Sequence, residues 1–112
     1  MLLRQKHKDD LCSIFKTVNL PIEVWAYGSR VNGTAHDGSD LDLVIRRPDL
    51  SPLPVAIFND VYYKIKDSNI PILVDVFDWA RLNEIFHKNI EQRYEVLFSN
   101  VNDALPHPKV VT

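Results

Sequence analysis

A chain of 112 residues, of which 46% are apolar and 25% charged, has the composition of a globular domain and excludes an intrinsically disordered chain. This length suits one hydrophobic core, so we expect a single domain over residues 1–112. The net charge of −2 excludes a general attraction to nucleic acid or to an anionic membrane, and one cysteine, Cys12, favours a reducing compartment such as the cytoplasm.

The first predicted element is an amphipathic helix. Apolar residues recur at near-helical spacing over residues 2–18, and Pro21 follows. Residues 22–28 are rich in β-branched and aromatic side chains and stop at a glycine, which predicts a strand. After SRVNGT, which suits a helical turn, residues 41–47 predict a second strand that ends before Pro48.

The second half of the chain continues the alternation. Helical spacing predicts a helix over residues 55–67, and the nearly continuous apolar run 70–78 predicts a third, central strand. Asp78 is predicted to cap a final helix. Its apolar side consists of Leu82, Ile85, Phe86, Ile90, Tyr94, Leu97 and Phe98.

The predicted fold class is therefore a small α/β (α+β) domain. We expect a mixed central sheet of about three to five strands, flanked by helices. The core should lie within residues 22–98, and residues 99–112 should form a flexible tail.

The stretch YGSRVNGTAHDGSDLDLVI contains all the glycines of the chain and an Asp-x-Asp pattern, Asp40 and Asp42. Residues two apart in a strand point to the same face, so the two carboxylates would project side by side. One interpretation is a Mg²⁺ site, because this ion prefers carboxylate oxygens. The alternative is that Asp40 lies in a turn and Asp42 faces water on an edge strand.

Two further features favour the metal-site interpretation, and each has an alternative of its own. Gly28 and Ser29 end the first strand, where backbone N–H groups and the hydroxyl would cradle an anion, although a plain turn before an N-cap serine has the same pattern. Asp75 interrupts the apolar run ILVDVF, where a lone carboxylate is costly unless it is paired, coordinated or protonated. It would be a metal ligand or a base, or else the partner of a nearby arginine.

GSRVNGTAHDGSDLDLVI followed by ILVDVF resembles the minimal nucleotidyltransferases of the DNA polymerase beta superfamily. Their pattern is Gly-Ser, a spacer, Gly/Asp-Ser-Asp-x-Asp and an acidic residue on a later strand; the resemblance covers roughly residues 24–78. It implies a triphosphate site and two Mg²⁺ ions held by three catalytic carboxylates, of which Asp75 helps to activate the acceptor hydroxyl. The implied nucleotide-binding residues are Gly28, Ser29, Arg30 and Ser39, and the implied catalytic and metal-binding residues are Asp40, Asp42 and Asp75.

The same resemblance implies transfer of AMP from ATP to a hydroxyl, with pyrophosphate leaving. The short chain is similar to the antitoxin half of systems whose toxin is a HEPN-domain protein, which implies a toxin encoded nearby with a tyrosine as acceptor. A homo- or hetero-oligomer is compatible with this, whereas membrane or direct nucleic-acid binding is not expected. An antitoxin that acts by binding alone stays open, and a transferase acting on an antibiotic is disfavoured by the length.

Overall fold

The computed structural model describes residues 1–36 and 38–101. Helices and strands alternate through these ranges. In chain order the elements are α1 (Gln5–Phe15), β1 (Glu23–Tyr27), α2 (Ser29–Asn32), β2 (Leu41–Arg46), α3 (Val55–Lys66), β3 (Val74–Asp78), a 3₁₀ turn (Trp79–Arg81), α4 (Glu84–Gln92) and β4 (Glu95–Ser99). None of the helices in these ranges has the length and apolar character that crossing a bilayer requires.

The strands form a mixed sheet in the order β3-β2-β1-β4. β1 runs antiparallel to both of its neighbours, whereas β2 and β3 are parallel and are joined through α3. Such a parallel connection needs a crossover, and a helix is the usual one. The predicted class, a small α+β domain with a mixed sheet flanked by helices, is confirmed.

The main core lies between one face of this sheet and the helices α1 and α3. Alternate residues of each strand point to this face, because side chains alternate along a strand. The buried sheet residues are Val24, Ala26, Leu41, Leu43, Ile45, Val76 and Leu97, and α1 and α3 contribute Leu11, Phe15, Val61 and Ile65. The half-buried Cys12 packs against this core and donates a weak hydrogen bond from Sγ to the carbonyl oxygen of Leu97 at 3.5 Å, as expected for a small core residue.

The opposite face of the sheet carries a smaller aromatic cluster. Trp25 and Trp79 meet edge to face with ring centroids 5.4 Å apart, and Tyr94 stacks on Trp25 at 3.9 Å. The guanidinium carbon of Arg46 lies 4.7 Å and 4.9 Å from the two tryptophan rings, a cation–π arrangement. Ile90 brings α4 into the cluster, so the segment after β3 covers this end of the face.

The prediction of one long helix after Asp78 is wrong. Asp78 does cap a helical turn, since its Oδ1 accepts a hydrogen bond from the amide of Ala80 at 3.2 Å, but that turn is the short 3₁₀ segment. Asn83 then caps α4, and Leu97 belongs to β4. The antiparallel pairing with β1 supplies backbone hydrogen bonds to this segment, and a short apolar run cannot reveal such pairing by its period.

The predicted central strand over residues 70–78 is also corrected. β3 is shorter and lies at the edge of the sheet, where it pairs with β2. Ile70 and Ile72 pack against the main core without being part of the strand, which explains why the sequence is apolar over a longer range. Consequently Asp75 is half-buried on an edge strand and does not lie inside a fully covered one.

The two chain ends differ from the predictions as well. Residues 2–4 precede α1 because the amide of Leu2 donates to the carbonyl of Arg30 at 2.8 Å. At the other end, Asn100 follows β4 and its side chain accepts from the amide of Ile22 and donates to the carbonyl of Leu20. Residues 102–112, most of the predicted flexible tail, lie outside the described residues.

Candidate active site

Three polar side chains form a row across the sheet, on the same face as the aromatic cluster and at the other end of that face. Asp42 of β2 is the register partner of Asp75 on β3 and of Tyr27 on β1. Residues directly opposite each other project from the same face, and neighbouring strands lie about 5 Å apart. The sheet therefore brings two of the predicted carboxylates together, although they are 33 positions apart in the sequence numbering (75 − 42).

The electrostatics of this row show a concentration of negative charge. The pKa of Asp42 is raised above its usual value of 3.8, mainly by burial and further by the charges of Asp75 and Asp40. Burial, together with the charges of Asp42 and Asp75, raises the pKa of Tyr27 to about 12. A cation placed among these groups would relieve both the desolvation and the repulsion.

Gly28 allows the backbone to pass close to the carboxylate of Asp42. Its φ of 80° and ψ of −155° belong to a region that is essentially restricted to glycine. A Cβ at this position would lie 2.5 Å from Oδ2 of Asp42, closer than any real contact. The sequence thus needs glycine here both for the conformation and for the close approach of the carboxylate.

Ser29 starts the single turn of α2 directly after this glycine. The amides of Val31 and Asn32 both donate to the carbonyl of Gly28 at 3.0 Å, which closes the turn. Ser29 is half-buried and lies next in the chain to the glycine that contacts Asp42. The predicted helical turn over SRVNGT is confirmed at this position.

Asp40 lies in the loop before β2 and is exposed, so it does not project from the strand beside Asp42 as the alternation predicted. The preceding residue, Ser39, is anchored to a turn. Its amide donates to the carbonyl of His36 at 2.9 Å, and its Oγ accepts from the amide of His36 at 3.0 Å. Asp40 is nevertheless close enough for its charge to raise the pKa of Asp42.

Arg30, the next predicted site residue, is buried, with 6% of its surface exposed. Its Nε and Nη2 donate to the carbonyl of Ser39 at 3.0 Å and 2.8 Å, and its Nη1 donates to the carbonyl of Leu2 at 2.6 Å. The guanidinium is thus engaged with the backbone on both sides of α2.

The donor set suits a hard divalent cation in its chemistry, because carboxylate oxygens are the ligands that Mg²⁺ prefers. The like charges that raise the pKa of Asp42 are consistent with such an ion. In the part of the chain that the structure describes, however, no group of three or more His, Cys, Asp or Glu side chains is arranged to hold a metal. Two carboxylates are in register, and the third, Asp40, lies on the adjoining loop.

One residue of the row was not identified in the sequence. Tyr27 comes directly before the Gly-Ser pair, but nothing in its spacing indicates that it faces Asp42. The register of β1 against β2 decides this, and it is specified by the strand residues that are buried in the main core.

This chain belongs to the nucleotidyltransferase domain family, whose model matches residues 4–103. The match includes the Gly-Ser turn and all three acids of the candidate site. The family thus agrees with the fold and with the motif that the sequence displays.

The chain is 39% identical over 74 residues to the probable protein adenylyltransferase MntA of Haemophilus influenzae. The match covers 66% of this chain and 63% of that protein, somewhat less than two thirds of its length. A crystal structure of a toxin-antitoxin with AMP-PNP contains a chain that superimposes with a TM-score of 0.66, over 86% of this chain and 76% of that one. At 16% identity this likeness shows the fold alone.

Proposed function

We propose that this protein is an adenylyltransferase that moves AMP from ATP to a hydroxyl of a partner protein, as the antitoxin of a toxin-antitoxin pair. The observation that carries the proposal is the register pairing of Asp42 with Asp75 beside the Gly28 turn. The names of the MntA relative and of the toxin-antitoxin neighbour support the choice of AMP and of a protein partner. A HEPN-domain toxin encoded nearby, with a tyrosine as acceptor, is the specific partner that we propose.

The roles of the residues follow from their positions. Gly28 allows the backbone to approach the triphosphate, and Ser29 and Ser39 offer hydroxyl groups to its oxygens. Asp75 is half-buried on an edge strand, so a second protein would present its hydroxyl beside it.

In the transfer itself, the acceptor oxygen forms a bond to the α-phosphorus while the bond from that phosphorus to pyrophosphate breaks. Asp75 accepts the proton of the acceptor hydroxyl, as a base within hydrogen-bond reach would. Asp40, Asp42 and Asp75 would hold Mg²⁺, which neutralises charge on the attacking and leaving oxygens when it is bound. The remaining task of the protein is to orient the two substrates.

The test is a labelling assay with α-³²P-ATP, Mg²⁺ and the purified HEPN-domain partner. We expect label on the partner with the wild type and none with Asp42→Asn or Asp75→Asn. Asp60→Asn is the matched control, because Asp60 makes an exposed ion pair with Lys64 on α3, away from the site. Equal labelling by wild type and Asp42→Asn would contradict the assignment.

One observation favours a second function, neutralisation of the partner by binding alone. In residues 1–36 and 38–101 the acids are not assembled into a metal-holding group of three. If the two proteins associate and no label moves at any Mg²⁺ or Mn²⁺ concentration, binding alone explains the antitoxin. Association that survives Asp42→Asn while labelling is lost supports the enzymatic function.

A further inference from the structure

We propose that Arg30 is a positioning residue, which holds the Ser39–Asp40 peptide and thereby keeps the Asp40 carboxylate beside the proposed metal ligands Asp42 and Asp75. This inference rests on the proposed function and deepens it. It assigns Arg30 a task different from the phosphate contact that the sequence resemblance implied.

The contacts of the guanidinium carry the argument. Two of its nitrogens, Nε and Nη2, donate to the same carbonyl, that of Ser39. This carbonyl belongs to the peptide bond that joins Ser39 to Asp40. The direction of that peptide plane, and with it the start of the Asp40 side chain, is therefore tied to Arg30.

The other side of Arg30 is fixed as well. Its Nη1 donates to the carbonyl of Leu2, and the amide of Leu2 donates back to the carbonyl of Arg30. These reciprocal bonds attach the segment before α1 to α2. Arg30 consequently bridges the amino-terminal segment and the loop before β2.

Burial makes this arrangement costly to break. Arg30 as a whole is only 6% exposed, so its guanidinium must keep its hydrogen bonds, because a buried charge without partners is strongly unfavourable. If Arg30 turned toward a phosphate, it would leave the Ser39 and Leu2 carbonyls without these donors. Holding the loop is the task that its observed bonds perform.

The loop needs such support because Asp40 is exposed and lies outside β2. Asp42 and Asp75 are aligned by the strand register, whereas the sheet does not align Asp40. Groups that orient a metal ligand typically change metal affinity or activity by about 10- to 100-fold when they are removed.

The test measures Mn²⁺ binding to the purified protein by titration calorimetry, for the wild type, Arg30→Lys, Asp40→Asn and the double variant. We expect Arg30→Lys to weaken Mn²⁺ binding by about tenfold, because lysine cannot reproduce the paired bonds. In the Asp40→Asn background the same change should have no further effect, since Arg30 acts through Asp40. Arg4→Lys, an exposed neighbour in the same segment, should leave binding unchanged.

Three results would overturn the inference. The first is an unchanged Mn²⁺ affinity in folded Arg30→Lys. The second is that Arg30→Lys lowers the Mn²⁺ affinity equally in the wild-type and the Asp40→Asn protein. The third is that Arg30→Lys weakens the binding of metal-free ATP and leaves Mn²⁺ binding unchanged. A purely structural role would lower the melting temperature without altering the Mn²⁺ affinity of the folded protein. A wild type that binds no Mn²⁺ overturns both the inference and the proposed metal-dependent transfer.

A measurement on the wild type covers the case in which Arg30→Lys does not fold. The Nε–H resonance of Arg30 should exchange slowly with solvent and should not move when metal-free ATP is added. A rapid exchange, or a shift of this resonance larger than that of the other site residues, contradicts the inference. These measurements do not depend on AMP transfer. If Arg30 and Asp40 prove to be coupled but no AMP is transferred, the inference about Arg30 stands and the proposed function fails.

Discussion

Asp42 is partly buried, lies near other carboxylates and is in close contact with the backbone of Gly28. It lies between Tyr27 and Asp75 across the sheet, and the Gly28 backbone presses against its carboxylate. Burial and two like charges raise its pKa, so the folded protein carries an energetic cost at this position that a bound cation would offset. Such a cost is typical of functional sites.

Replacing Gly28 with alanine should destabilise the protein and impair the site at once. The alanine Cβ meets Oδ2 of Asp42, and the backbone conformation is essentially restricted to glycine. We expect the free energy of unfolding to fall by about 1–3 kcal/mol, together with a loss of AMP transfer. Urea unfolding and the labelling assay measure these two effects.

Gly33→Ala is the matched control, since Gly33 also has a positive φ, 87°, but a Cβ there meets nothing within 4 Å. It should cost about 1–2 kcal/mol of stability and leave transfer at the wild-type level. If both variants lose transfer equally, the contact with Asp42 is not the cause.

Asp42→Asn should stabilise the metal-free protein at neutral pH. The folded pKa of Asp42 is raised above the unfolded value of 3.8, so the folded state keeps its proton to higher pH than the unfolded chain. The contribution of Asp42 to stability therefore falls as the pH rises through the interval above 3.8. In EDTA at about pH 7, the variant should melt at a higher temperature than the wild type. The difference between the two melting temperatures should become smaller as the pH is lowered toward 3.8.

Mg²⁺ provides the control for this prediction. It should raise the melting temperature of the wild type, because a ligand that binds the folded state stabilises it. It should do so much less for Asp42→Asn. A metal-free wild type that is more stable than the variant at neutral pH would contradict the origin of the raised pKa.

At the scale of elements, β4 shows how pairing decides a conformation. Its residues follow a helical pattern from α4 onward, yet Val24 and Trp25 of β1 pair with Phe98 and Val96. Asn100 then fixes the end of the strand to the residues before β1. The pairing turns an ambiguous segment into the outer strand of the sheet.

Asn100→Ala should weaken this attachment. The side chain accepts from the amide of Ile22 at 2.7 Å and donates to the carbonyl of Leu20 at 3.0 Å. Losing both bonds should lower the free energy of unfolding by about 1–3 kcal/mol, measured by urea denaturation. Asn59→Ala, on the exposed surface of α3, should stay within about 0.5 kcal/mol of the wild type; equal losses in the two variants would show that the side-chain hydrogen bonds of Asn100 contribute nothing.

At the scale of the whole molecule, the two faces of the sheet have separate tasks. One face is covered by α1 and α3 and forms the main core. The other carries the aromatic cluster at one end and the acidic row at the other. Stability and the candidate chemistry therefore depend on side chains that alternate along the same strands.

Leu43→Ala tests this division. Leu43 is fully buried in the main core between Asp42 and Val44, which point to the opposite face. Its truncation should cost about 2–5 kcal/mol in urea unfolding, whereas AMP transfer by the folded fraction should persist. Leu73→Ala, at a position with 57% exposure, should change stability by no more than about 0.5 kcal/mol; a comparable loss would place Leu73 in the core.

Local patterns in the sequence were enough to predict the fold class, the first two strands and the motif of the candidate site. Periodicity and glycine placement are local signals, so β1, β2 and α3 were predicted within about two residues. Gly28, Ser29 and the three acids could be identified from their residue types and order. Local signals sufficed because each of these features depends on neighbours in the chain.

Which side chains meet depends on the folded sheet and could not be predicted from local patterns. The strand order placed β3 at the edge and turned residues 95–99 into a strand, and neither outcome is encoded in a local period. The register set Tyr27 and Asp75 on either side of Asp42, and folding buried Arg30 against the Ser39 carbonyl. These relations join residues that are distant in the chain, and they arise from backbone pairing and burial that only the folded sheet provides.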